Sequence, residues 1–161
     1  MNLSADEIAG VVDLFGALSR ATLRTALSEL AFKRGIASDP DEFEAAIADA
    51  IDSYHLLELS DESTQTPLVV VGPTAFPKLP DGASDLPHIL DIDDRSIDRD
   101  RLGAAAEQRF RADASRAVEA GNDHRVRELL DVSYELDAWG PVDLETTRDR
   151  LDAALEGTDG A

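Results

Sequence analysis

Three apolar stripes at helical spacing, each opened by its own capping residue, follow one another from Ser4 to Tyr54. They leave this part of the chain little choice but a compact helical group. Ser4-Ala-Asp-Glu7 is a capping box, in which a hydroxyl and a carboxylate satisfy amides that a helix start leaves unpaired. Behind it, Ile8, Val11, Val12, Phe15 and Leu18 recur at helical intervals. Ser19 caps a second stripe of Leu23, Leu27, Leu30 and Ala31, which closes on Lys33, Arg34 and Gly35. That order places bases at the negative end of the helix dipole and then a residue free to turn left-handed. Ser38 or Asp39 caps the third, with Pro40 where a missing amide does no harm. Phe43, Ile47, Ala50, Ile51 and Tyr54 line its inward face.

The period then changes. "LLELS" (56–60) and "PLVVV" (67–71) are short, apolar and separated by the polar "DESTQT", which predicts two antiparallel strands. Three helices followed by a hairpin resemble a winged-helix domain over residues 1–72, with "DESTQT" as the wing. That resemblance rests on element order and implies a DNA-reading third helix.

Residues 73–96 are rich in proline, at 73, 77, 80 and 87. A flexible linker would be built of Gly, Ser and charge. Here Phe76, Leu79 and Leu86 are spaced between backbone-restricting prolines, and "PDG" at 80–82 is a turn signal. The expected role is an ordered strap anchored by those three side chains.

Residues 97–157 return to helical spacing. Leu102, Ala106, Phe110, Ala114, Ala117 and Val118 form one stripe that Gly121 ends. Asn122 caps the next, with Val126, Leu129, Leu130, Ser133 and Leu136 inward. Only "GND" joins the two, so they read as an antiparallel hairpin, similar to a single tetratricopeptide unit. Asp143 opens a short closing helix through Leu144, Leu151, Ala154 and Leu155, and 158–161 read as a tail. The fold class expected is mainly α: winged-helix-like three helices plus a β-hairpin, then a helical hairpin and a short closing helix.

Charge narrows function. The formal net charge is −19, with 22 Asp against 12 Glu and 13 Arg against 2 Lys. This bias, with the look of "DLFGALSRATL" and "ELAFKRG", resembles small haloarchaeal proteins of unknown function. The resemblance implies a salt-rich cytoplasm and no particular activity. At 1 M salt the Debye length is about 3 Å, so self-repulsion is screened while carboxylates keep the surface hydrated. There is no cysteine, which removes disulfides, thiolate zinc sites and thiol nucleophiles. No apolar run approaches a membrane span, and the N-terminus lacks a secretory pattern, so a cytoplasmic protein is expected.

Departures from the acidic background carry more information. Residues 1–35 hold four acids and four bases, whereas residues 36–66 hold nine acids and no Lys or Arg. The outer faces of the third helix carry Asp41, Glu42, Glu44, Asp49 and Asp52, which repel phosphate. The second helix carries Arg20, Arg24, Lys33 and Arg34, the group best suited to touch a partner or nucleic acid. Among chemical motifs, phosphate loops, nucleophile elbows and zinc-helix signatures are missing. His88 beside Asp85 or Asp91 is the acid–base candidate for catalysis. Asp91, Asp93, Asp94, Asp98 and Asp100 crowd together, but Arg95 and Ser96 stand where a calcium loop needs an oxygen ligand and glycine. No metal or cofactor is expected. The leading expectation is a non-catalytic interaction module that dimerises or docks on a protein through the neutral N-terminal helices or the C-terminal hairpin. Behind it stand a DNA-binding regulator using the second helix and, third, a small enzyme using His88.

Overall fold

The computed structural model describes residues 2–60, 65–92 and 95–159. It divides into two compact units, one ending at Ile97 and one beginning at Asp98. The first therefore takes in the proline-rich stretch as well as the three helices and hairpin.

Helix α1 (Ala5–Phe15) opens with the capping box: the Glu7 amide donates to Ser4 Oγ at 3.1 Å and the Ser4 amide to Glu7 Oε1 at 3.2 Å. Helix α2 (Arg20–Lys33) starts at Ser19, whose hydroxyl accepts from the Thr22 amide. Helix α3 (Pro40–Asp52) starts at Asp39, with Pro40 in its first turn. The turn into the hairpin runs through Tyr54, whose φ of 64° is uncommon for a bulky residue and whose side chain is fully buried. Strands β1 (Leu56–Leu59) and β2 (Leu68–Val71) pair antiparallel, Leu56 opposite Val71 and Leu59 opposite Leu68. Leu18, between α1 and α2, exchanges both backbone bonds with Val69 at 3.1 and 2.7 Å, so a third extended segment joins the hairpin. Of the expected wing, residues 61–64 lie outside the described residues. Ile8, Val12, Phe15, Leu23, Leu27, Leu30, Phe43 and Ile47 meet in one core. Each such side chain contributes about 1.5–3 kcal/mol on burial, so the stripes themselves hold the unit together.

The described strap residues lie against the unit, but not through all the side chains expected. Leu86 is fully buried, whereas Phe76 and Leu79 are 76% and 47% exposed. Backbone contact takes their place. The Lys78 amide donates to the Asp6 carbonyl and the Phe76 amide to Asp6 Oδ1, both at 3.0 Å. Once those amides and the Lys78 carbonyl turn toward α1, the flanking side chains must point away. Gly10 permits the approach, since a Cβ there would overlap the Lys78 carbonyl oxygen. Further along, Ala83 and Leu86 enter the core, and Leu86 opens a short unexpected helix, α4 (Leu86–Leu90). The Arg95 amide bonds the Phe15 carbonyl at 2.8 Å, tying the far end back to α1.

The second unit holds three helices. Helix α5 (Arg99–Ala120) ends at Gly121 in the left-handed region, and Asn122 caps α6 (Asp123–Trp139) through the Arg125 amide. Helix α7 (Glu145–Asp159) is longer than the short closing helix expected, and its helical backbone runs into the supposed tail. Phe110, Leu129, Leu136, Leu144 and Leu151 form the buried centre. Arg148 extends the pairing of α7 with α6: Nε donates to Ser133 Oγ at 2.8 Å, Nη2 donates to the Ser133 carbonyl and pairs with Asp137, and the guanidinium lies over the Tyr134 ring. Asp113, nearly buried on α5, is neutralised by Arg109, Arg116 and Arg125.

Candidate functional site

The basic group on α2 does not stand free. At the helix start, Arg20 Nε bonds Glu58 Oε2 on β1 at 2.6 Å, and Nη1 reaches Glu44 Oε1 on α3 at 3.4 Å. One turn on, Arg24 Nε lies 3.1 Å from Glu44 Oε2 without an aligned hydrogen bond. The Glu58 hydrogen bond, more than the Glu44 contact, raises the Arg20 pKa above the usual arginine value. At the helix end, Lys33 Nζ donates to the Gly82 carbonyl at 2.9 Å and Arg34 Nε to the Asp81 carbonyl at 3.0 Å. These four are the residues that the sequence marks as best suited to touch a partner or nucleic acid. The structure gives them work inside the unit: two clamp α3 and β1 onto α2, and two hold the strap.

Helix α3 turns a different face outward. Glu42, Ala45, Ala46 and Asp49 border a groove whose other walls are Asn2, Leu3, Ile8, Leu27 and Phe43, with a volume of about 550 Å³. Of its lining residues Ile8, Leu27 and Phe43 are buried and apolar, and Glu42 and Asp49 are exposed and anionic. Leu27 and Ile8 belong to stripes legible in the sequence, but the trough is not. It depends on two alanines standing where larger side chains would fill the gap.

One constellation escaped sequence reading. Ser53 Oγ lies 2.6 Å from His55 Nδ1, and His55 Nε2 lies 3.6 Å from Asp6 Oδ1. The residue types match a nucleophile, base and orienting acid, yet the geometry serves a turn. Ser53 Oγ also donates to the Ala50 carbonyl, and the neighbouring amides of Ser53, Tyr54 and His55 all bond helix carbonyls. No amide of this turn is left to stabilise an oxyanion. Asp6 is better described as a junction, bonding the strap at Phe76 and Lys78 while facing His55. No local pattern in the sequence marks it, because its partners lie far along the chain.

His88 is exposed on α4, and Asp85 is turned toward Lys33 at 3.7 Å. Of the acidic run, Asp93 and Asp94 lie outside the described residues. Among the described residues, no group of three or more His, Asp or Glu side chains is placed to hold a metal ion. No described helix is long and apolar enough to cross a membrane.

Comparison with curated proteins and with solved structures yields no match. Residues 6–156, nearly the whole chain, match a family of unknown function, DUF7109. The match takes in α1 to α6 and most of α7, and on that extent the chain belongs to the DUF7109 family.

Proposed function

We propose that the chain is a non-catalytic protein-interaction module, an adaptor of a salt-rich cytoplasm, with a winged-helix-like N-terminal unit. The observation that carries this reading is the division of charge between α2 and α3. The cations of α2 are held by Glu44, Glu58 and strap carbonyls, while the outer stripe of α3 offers carboxylates around an apolar trough. Affinity for a nucleic-acid backbone is built largely from cationic contacts. An arginine paired with a carboxylate has its charge offset, so it attracts a phosphate less than a free one does. A protein partner makes no such demand, because interfaces combine an apolar centre with a polar rim. The Asp-over-Glu and Arg-over-Lys bias supports the salt-rich setting.

One feature favours a second reading, a DNA-binding regulator contacting the duplex through α2. The isolated Leu18–Val69 bridge between α1 and α2, followed by two helices and a hairpin, supports the winged-helix-like reading. Titration of a labelled mixed-sequence duplex, from low to molar KCl, separates the two. The adaptor reading expects no saturable binding at any salt, together with nuclease-resistant protein capture from native lysate. Saturable duplex binding by the wild-type chain moves the assignment to the regulator. An Arg20→Ala/Arg24→Ala variant in that assay needs a melting curve beside it, because both residues also clamp the fold.

A further inference from the structure

We infer that the groove along α3 docks a cationic amphipathic segment of a partner protein, with an apolar side chain in the trough and basic side chains over its two rims. The inference rests on the interaction-module reading and deepens it by naming the surface and the partner's chemistry. Glu42, Ala45, Ala46 and Asp49 are related by three- and four-residue steps, so they form one stripe of the helix. Two alanines between two carboxylates leave a depression, and Leu3, Ile8, Leu27 and Phe43 supply apolar walls.

Acidity alone says little in a chain of net charge −19. The disposition of the carboxylates says more. Where α2 meets α3 and β1, the fold neutralises its acids: Glu44 faces Arg20 and Arg24, and Glu58 faces Arg20. Asp85 likewise faces Lys33. Among the described residues, Glu42 and Asp49 have no ion-pair partner; Asp13, Glu29 and Asp41 of the same unit share that, but Glu42 and Asp49 alone of these five border the groove. Residues 36–66 contain no Lys or Arg to supply one. An apolar trough between two uncompensated carboxylates is complementary to a helix carrying Lys or Arg on either side of a Leu or Phe. A duplex, an acidic peptide or a second copy presenting this same face brings like charge to the rim, which is unfavourable.

The probe is a fluorescein-labelled helical peptide of Leu and Lys at amphipathic spacing, titrated with the full chain at low and molar KCl. A control peptide replaces every Lys by Gln and keeps the apolar face. The expected result is saturable one-to-one binding of the Lys peptide, about tenfold weaker for the Gln peptide at low salt. Glu42→Gln/Asp49→Asn weakens the Lys peptide by about tenfold and leaves the Gln peptide unchanged. Ala45→Arg, at an exposed position, sets a guanidinium between the rims and removes binding, whereas Ala45→Gln retains most of it. Circular-dichroism melting near the wild-type midpoint shows that the variants fold. Absence of saturable binding overturns the proposal. So does equal binding by wild type and both charge variants, which reports diffuse attraction to an acidic surface. Native-lysate capture distinguishes the two levels: partners retained by Ala45→Arg remove the groove but leave the module, and no specific capture by wild type removes the module itself.

Discussion

Arg20 sits at the start of α2, and its guanidinium reaches both β1 and α3. Its side chain is 37% exposed, so solvent screens much of the attraction, and Arg20→Ala is expected to lower stability by only about 1 kcal/mol. A shift in the urea midpoint at unchanged slope checks this. The raised Arg20 pKa fixes the sign of its pH dependence. Its contribution is fully present below the ordinary arginine value and is lost only as pH rises through the still higher folded value, so no loss falls in the neutral range. Gly10 is constrained by space rather than by charge. Gly10→Ala drives a methyl into the Lys78 carbonyl and must push the strap off α1, with an expected cost of about 2 kcal/mol or more. Faster hydrogen exchange at the Phe76 and Lys78 amides is the local signature to seek.

Among elements, the strap shows how pattern and placement diverge. Phe76, Leu79 and Leu86 look alike in sequence as apolar residues between prolines, yet only Leu86 reaches the core. Leu86→Ala is expected to cost about 2–4 kcal/mol, because it opens a cavity beside fully packed neighbours. Phe76→Ala should stay within about 0.5 kcal/mol, as an exposed side chain gives up little on truncation. Equal losses from the two, measured by denaturant unfolding, contradict a strap in which Leu86 is buried and Phe76 exposed. The helices were more legible. Ser4, Ser19, Asp39 and Asn122 cap where the sequence places caps, and Gly121 stops α5. Capping is a contact between residues two or three apart, so local sequence is enough to specify it.

At the scale of the whole molecule, a net charge of −19 makes self-repulsion the largest long-range term opposing compactness. Screening relieves it, so the melting temperature is expected to rise by several degrees or more from low to molar KCl. The partly buried pairs on Arg20 and Arg148 lie at short range and are screened much less, so they do not reverse the trend. A melting temperature that falls with added KCl contradicts this balance. The acidic groove follows the same logic locally: its attraction for cations weakens with salt, while its apolar walls keep their affinity.

The sequence by itself determined the helices (apart from α4 and the full length of α7), the hairpin and the sign of the charge on α3, because each follows from periodicity, from neighbours a turn apart or from composition. Only the tertiary structure decided which groups Arg20, Arg24, Lys33 and Arg34 meet within the unit, which strap residues are buried, and that a trough opens beside Glu42 and Asp49. These depend on pairs such as Arg20 with Glu58 and Asp6 with Phe76, separated by tens of residues. Nothing in a one-dimensional pattern states that two such groups will meet; packing of the buried stripes brings them together, and electrostatics then selects the partners.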